Sequence, residues 1–202
     1  MKLVISPTSP FARKARIAMM DKKIECETVI DIPWEAKTSV PKYNPLGKIP
    51  VLILDDDSTL FDSRVIVEYF DSMSPVSRLI PENGRPRVAV KRWEALADGI
   101  SDAAATIFLE RKRAAERQDP EWIARQQAKI ERGIAALADE LGDKPWCTED
   151  AYNLADIAVG CTLGYLDLRF PEISWRRRYS NLAALSEKLA QRPSFIETAP
   201  KV

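Results

Sequence analysis

The chain has 202 residues, 46% of them hydrophobic and 30% charged, enough for one large domain or two small ones with a core in each. Its 30 basic and 30 acidic residues cancel, which removes any electrostatic reason to expect nucleic acid or an anionic membrane as partner. Histidine is absent, so Ser-His-Asp and Cys-His catalysis, imidazole bases and His-based zinc sites are all excluded.

At the N-terminus, Leu3-Val4-Ile5 reads as a strand. It runs into Ser6-Pro7-Thr8-Ser9-Pro10-Phe11-Ala12-Arg13-Lys14, a hydroxyl-rich turn that opens a helix, with Ser9 as N-cap and Pro10 at the first helical position. Phe11, Ala15, Ala18 and Met19 then recur at the spacing of one helix face. Such a strand–turn–helix aims backbone N–H groups at whatever lies in front of it. It makes an anion site and depresses the pKa of a thiol placed there. On this stretch alone, Ser9 as a plain cap and Pro10 as a plain helix starter remain open.

Ile24–Ile30 alternates as a second strand, and the proline-punctuated segment through Pro33, Trp34, Pro41 and Pro45 is irregular with room for one short helix. Val51–Leu54 and Thr59–Phe61, joined through Asp55-Asp56-Asp57-Ser58, read as a hairpin. Asp62-Ser63 opens a helix whose buried stripe is expected at Val65, Ile66, Tyr69 and Phe70. This βαβ, crossing, ββα order predicts a mixed sheet with helices on both faces. The polar stretch from Ser74 to Arg87 reads as a linker, dividing the chain into residues 1–76, a linker 77–86 and a helical part 87–202.

Beyond the linker, Trp93, Ala97, Ile100, Ala104 and Ile107 mark a long helix. Ile123, Ile130, Ile134, Leu137 and Leu141 mark a second that ends at Gly142. Asn153 and Asp156 form a capping box, with Tyr152 and Ile157 as its staple and Ile157, Cys161, Gly164 and Leu168 expected inward. Arg176-Arg177-Arg178 reads as a solvated loop, and a last helix runs from about Leu182 to Gln191, stopping at Pro193. Cys26, Cys147 and Cys161 form no C-x-x-C pair and are odd in number, so reduced thiols are expected, with Cys26 and Cys161 in apolar core patterns. No apolar run approaches the roughly 18–20 residues of a membrane helix, and the N-terminal stretch is too short for a signal peptide; a cytoplasmic location is expected.

Taken together, these pieces resemble the cytosolic glutathione transferases, of serine-type and bacterial kind. Ser6–Lys14 is similar to the family's active-site turn, and Asn44-Pro45-Leu46-Gly47-Lys48-Ile49-Pro50-Val51-Leu52 to its loop into the third strand, where the proline peptide is cis. Phe61-Asp62-Ser63 stands where the family carries a Glu-Ser pair. Asn153–Asp156 and the tract from Tyr179 to Phe195 resemble its sixth-helix cap and C-terminal region. The resemblance implies a thioredoxin-like α/β domain, with a four-stranded mixed sheet in βαβ–ββα order, followed by an all-α domain. Residues 1–76 would be the glutathione-binding domain.

The implied activity is glutathione transfer to small electrophiles, or reduction of peroxides and disulfides, with glutathione as co-substrate and no metal. A glutathione-binding or interaction module of weak activity is the alternative. Cytoplasmic detoxification, a homodimer, and neither nucleic acid nor membrane as partner belong to the same implication. Ser9 aligns with the serine that activates the thiol, with Thr8 as its neighbouring rival. Holding a thiol near pKa 6.5 instead of about 8.5 requires roughly 2.7 kcal/mol. One hydroxyl hydrogen bond to a charged acceptor supplies about 1.5–3 kcal/mol, and a helix N-terminus roughly 0.3–2 kcal/mol more. Ile49, ahead of Pro50, would pair with the cysteinyl backbone and Ser63 would take the γ-glutamyl carboxylate. Asp62 is a contact or only a cap, and Lys48 meets the glycyl carboxylate or is solvated. Phe11 borders the site, and the second substrate is expected near Phe11, Trp34 and Phe108. Asp102, in Asp98-Gly99-Ile100-Ser101-Asp102, resembles an aspartate that reaches the γ-glutamyl amino group across a dimer; a solvated surface position is the other reading.

Overall fold

Leu3, Val4 and Ile5 are all buried, so the first strand, β1 (Lys2–Ile5), reads as a continuous apolar run because both of its faces are covered. A computed structural model describes residues 1–76, 78–148 and 151–200. In it β1 pairs parallel with β2 (Glu27–Ile30) and antiparallel with β3 (Val51–Ile53). β3 pairs antiparallel with β4 (Thr59–Leu60), giving the order β2-β1-β3-β4. This four-stranded mixed sheet with its helices is the thioredoxin-like α/β architecture. The second strand is shorter than Ile24–Ile30 and lies at the sheet edge with Glu27, Thr28 and Ile30 exposed. Cys26, next to that edge, is therefore half-buried and not the core residue its apolar neighbours implied.

The chain divides into two units, Met1–Pro81 with Gln191–Val202, and Glu82–Ala190. In the first, α1 (Pro10–Asp21) packs on α3 (Ser63–Met73), and α2 (Val40–Tyr43) lies between β2 and β3 in the chain. The buried face of α1 is Ala12, Ala15, Ile17 and Ala18, while Phe11 and Met19 stay partly exposed. Small alanines let the helix approach its neighbours closely, and the bulkier ring of Phe11 is left at the rim. In α3 the inward face is Ser63, Ile66, Val67 and Phe70, a helical i, i+3, i+4, i+7 set, and Val65 is 46% exposed. The polar Ser63 hides that face from a reading of apolar spacing. Lys22, the C-cap of α1, is buried against Asp71 of α3 at 2.9 Å. The same carboxylate accepts from the Leu79 and Ile80 N–H groups at 2.8 and 3.1 Å.

At the end of the chain, α9 (Pro193–Glu197) is helical and groups with the first unit. The cause is α1. Arg13 donates to the Phe195 carbonyl at 3.1 Å with its guanidinium 5.3 Å from the Phe195 ring centroid, and Thr198 accepts from Arg13 Nε at 3.4 Å. Ser77, where the linker is expected to start, and residues 201–202 lie outside the described residues.

The second unit contains α4 (Gly84–Glu110), α5 (Pro120–Leu141), α6 (Leu154–Arg169), α7 (Trp175–Arg178) and α8 (Ser180–Ala190), with α4 packed on α5 and α6. A Cβ on Gly133 of α5 would stand 2.5 Å from Ile100 Cγ1, so only glycine permits this closeness to α4. Ser101 and Thr162 share a buried hydroxyl pair at 2.9 Å, and Thr162 donates to the Ala97 carbonyl at 3.0 Å. The capping box of α6 forms: Asn153 Oδ1 accepts from Ala155 N–H, and Asp156 accepts from the Asn153 and Cys147 N–H groups, all at 2.9 Å. This helix is buried on most of its sides, and Gly164 and Leu168 of the expected inward set are only partly covered. Arg176-Arg177-Arg178 is exposed but helical in α7, not a loop; the helix is anchored by the buried Trp175, and Arg176 is tied to Asp167 at 2.6 Å. Among the described residues no helix is long and apolar enough to cross a membrane.

Candidate functional site

The registers bring several predicted site residues to one edge of the sheet. Val4 faces Val51 and Leu52 faces Leu60, with β3 running opposite to both neighbours. The C-terminal ends of β1 and β4 and the N-terminal end of β3 therefore lie together. The Ser6–Ser9 turn leaves the end of β1, Ile49–Pro50 leads into β3, and Asp62–Ser63 lies just past β4. Both α1 and α3 start at this edge, so two helix N-termini present N–H groups and positive dipole ends there.

Ser9 is extended (φ −75°, ψ 125°) and caps α1: the Ala12 N–H donates to Ser9 Oγ at 3.2 Å. Its own N–H donates to the Ser6 carbonyl at 3.1 Å, which closes the turn. Because Ser9 Oγ acts as acceptor toward the helix, its hydroxyl proton is not used by the cap. Ser9 and Thr8 are both partly exposed, but the Thr8 hydroxyl lies 3.4 Å from that of the buried Ser6. Phe11 is partly exposed one helical residue past Pro10.

The loop into β3 is pinned by Asn44, which is buried. Its Nδ2 donates to the Lys48 carbonyl at 2.8 Å, and its Oδ1 accepts from the Leu46 N–H at 3.0 Å. Gly47 supplies the turn with φ 62°. Pro50 is buried after a cis Ile49–Pro50 bond, and Ile49 packs on Val4, Val40 and Val51. Lys48 is exposed. The role of Asn44 was missed by sequence reading. The signal available was an Asn-Pro pair two residues ahead of a glycine turn.

Asp62 caps α3, its Oδ1 accepting from the Arg64 N–H at 2.9 Å, after a cis Phe61–Asp62 bond. Ser63 is the first residue of α3 and is buried. Asp102 belongs to the other unit, exposed on α4, whereas Asp98 one turn earlier is buried. The shared face expected for the two aspartates thus divides into a covered and an exposed position. Between β2 and α2 the chain is also held: Asp31 accepts from Thr38 Oγ1 at 2.6 Å and from Ser39 N and Oγ at 2.9 and 2.8 Å. The Thr38 hydroxyl first, and Ser39 with it, holds the Asp31 carboxyl below its ordinary pKa. This closes the loop that carries Trp34.

Comparison with known proteins places matches across the chain. The family description "Glutathione S-transferase, N-terminal domain" matches residues 8–73, and "Glutathione S-transferase, C-terminal domain" matches residues 120–188. An uncharacterized GST-like protein, YibF, of Escherichia coli (strain K12) is 39% identical over 99% of this chain and 98% of its own. A glutathione S-transferase from Methylobacillus flagellatus KT, solved with glutathione bound, is 46% identical with a TM-score of 0.96 over 99% of both chains. One from Methylobacterium radiotolerans JCM 2831, in complex with glutathione sulfonate, is 42% identical with a TM-score of 0.96, over 100% of this chain and 95% of that one.

Proposed function

The chain belongs to the glutathione S-transferase family, and from that premise we propose that residues 1–76 hold glutathione along the sheet edge with its sulfur at the start of α1. It is a glutathione transferase with glutathione as co-substrate. The observation that carries the reading of the site is the convergence of the Ser9 turn, Ile49–Pro50 and Ser63 on one edge. Two strand spacings, about 9–10 Å, separate the turn after β1 from the start of α3. Three extended residues span at most about 10–11 Å, so a tripeptide fits that gap.

In this reading the γ-glutamyl carboxylate meets the Ser63 N–H and hydroxyl at the α3 N-terminus. The cysteinyl backbone pairs with Ile49, and the glycyl carboxylate faces Lys48. Asp62 uses one oxygen on the cap and offers the other to the γ-glutamyl ammonium, and Phe11 borders the sulfur. Ser9 donates its hydroxyl proton to the thiolate, which the cap geometry permits; Thr8, turned to Ser6, is the weaker candidate.

The thiol proton leaves to solvent and the sulfur attacks. With a chlorodinitrobenzene a C–S bond forms, the C–Cl bond breaks, and chloride departs with the bonding pair. Peroxides and disulfides are the other acceptors of the same thiolate. We infer that the enzyme clears such small electrophiles in the cytoplasm as a homodimer, in which Asp102 of one copy reaches the γ-glutamyl ammonium bound by the other.

Removing the Ser9 hydroxyl in Ser9→Ala removes about 1.5–3 kcal/mol of thiolate stabilisation, a roughly ten- to 200-fold fall in kcat/KM. The bound-thiol pKa, titrated by thiolate absorbance, is expected to rise while glutathione affinity stays within several-fold. If Thr8→Ala raises that pKa and Ser9→Ala does not, the role passes to Thr8. Retention on immobilised glutathione without turnover of any electrophile, peroxide or disulfide would instead describe a binding module.

A further inference from the structure

The loop that carries Ile49 into β3 contains Pro45 and Pro50, which have no backbone N–H, and its Lys48 side chain is exposed. Three hydrogen bonds of this loop converge on Asn44, which is only 2% exposed. The Leu46 N–H donates to Asn44 Oδ1 at 3.0 Å and the Gly47 N–H to the Asn44 carbonyl at 2.8 Å. Asn44 Nδ2 in turn donates to the Lys48 carbonyl at 2.8 Å. Asparagine suits the place because one short side chain carries both a donor and an acceptor. It is itself anchored, since its N–H donates to the Val40 carbonyl of α2 at 2.9 Å. Val40 is buried with Val4 and Val51, and Ile49 packs on the same valines. Both ends of the loop are thus tied to one core.

The bond to Lys48 fixes more than a carbonyl. Lys48 C=O and Ile49 N–H belong to one planar trans peptide, so they point in opposite directions. With that carbonyl held by a buried amide, the Ile49 N–H is turned away from Asn44.

We propose that Asn44 is a positioning residue for glutathione: by holding the Lys48 carbonyl it aims the Ile49 N–H at the cysteinyl carbonyl of the tripeptide. The inference rests on the transferase reading and deepens it, since that reading makes Ile49 a contact and leaves open what orients it. Hydrogen bonds weaken steeply once the donor angle falls below about 120°, so a turned peptide loses the pairing. Asn44 acts through the main chain of Ile49 and not on the sulfur. Its effect therefore falls on binding, whereas that of Ser9 falls on the thiolate.

The test is Asn44→Asp in the full-length chain, with S-methylglutathione as an unreactive probe. The aspartate keeps an acceptor for the Leu46 N–H but sets a carboxylate oxygen against the Lys48 carbonyl in place of the donor. The dissociation constant from calorimetry is expected to rise at least about tenfold. With 1-chloro-2,4-dinitrobenzene as acceptor, KM for glutathione should rise in step while kcat at saturation stays within about threefold. Saturating probe should slow hydrogen exchange at the Ile49 amide at least about tenfold in the native protein and less than about threefold in the variant. Native affinity in a folded Asn44→Asp, a loss confined to kcat, or equal protection of the Ile49 amide in both proteins overturns the proposal. Should Asn44→Asp fail to fold, Asn44→Ser reads the same bond, because its shorter side chain falls short of the Lys48 carbonyl. Probe binding weakened at least about fivefold supports the proposal, and a lowered urea midpoint with native affinity overturns it. A native protein that binds no S-methylglutathione ends the transferase reading and this inference together, whereas native-like binding by the variants ends this inference alone.

Discussion

At the scale of single residues, two aspartates show how environment sets the sign of a pH effect. Asp31 accepts from the Thr38 and Ser39 hydroxyls and the Ser39 N–H, which hold its carboxyl below the ordinary value. A lowered folded pKa means stability that is present above the unfolded value, about 3.9, and lost as pH falls through the folded one. Asp156 is the opposite case. Burial raises its carboxyl pKa, and the Cys147 and Asn153 N–H groups offset only part of that cost. Its protonated form favours the folded chain, so its contribution is full below about 3.9 and declines as pH rises through the folded pKa. Urea denaturation of native, Asp31→Asn and Asp156→Asn chains from acid to neutral pH separates the two. The native-minus-Asp31→Asn difference should shrink toward acid, and the native-minus-Asp156→Asn difference should shrink toward neutral pH. Parallel curves would remove both assignments.

Elements meet where side chains allow, and two contacts make measurable predictions. Gly133 lets α5 lie against Ile100 of α4, so Gly133→Ala places a methyl 2.5 Å from Ile100 Cγ1. Overpacking costs about 1–3 kcal/mol, against a gain of roughly 1 kcal/mol in helix propensity. A net loss is expected from chemical denaturation, and it should vanish or reverse in the double variant with Ile100→Ala. The second contact joins α1 to α9 through Arg13. Deleting its hydrogen bond to the Phe195 carbonyl and its stacking on the ring in Arg13→Ala should cost about 1–2.5 kcal/mol. Because Arg13 lies one turn after Ser9, amide exchange at the start of α1 should quicken in the same variant. Unchanged exchange there would confine the role of Arg13 to the chain end.

On the scale of the whole molecule, the proposed homodimer is the step that joins Asp102 to a glutathione site. Exposed apolar residues are available for such an interface, Val65 and Met73 on α3 and Val88 on α4. Sedimentation at micromolar concentration should show a two-fold species. Asp102→Ala should weaken glutathione binding several-fold without unfolding, since a desolvated ammonium loses its carboxylate. A monomer binding glutathione at full affinity would end the shared-site idea.

What the amino-acid sequence determined alone is what rests on local chemistry. Ser9 and Pro10 start α1, Asp62 starts α3, Asn153 and Asp156 cap α6, and Gly142 stops α5, because capping needs only neighbours in the chain. The strand order of types and the split into sheet and helical parts were legible for the same reason. Tertiary structure decided the rest. Ser63 completes the buried face of α3 although it is polar, Cys26 is left at an edge although its neighbours are apolar, and α9 returns to the first unit because Arg13 waits for it. The placement of the Arg169 guanidinium over the Phe108 ring belongs to this second class, since the two residues are distant in the chain and joined only by helix packing. Local sequence sets which element forms, but which faces meet depends on shape and partner across the fold, and no window along the chain contains both sides of such a contact.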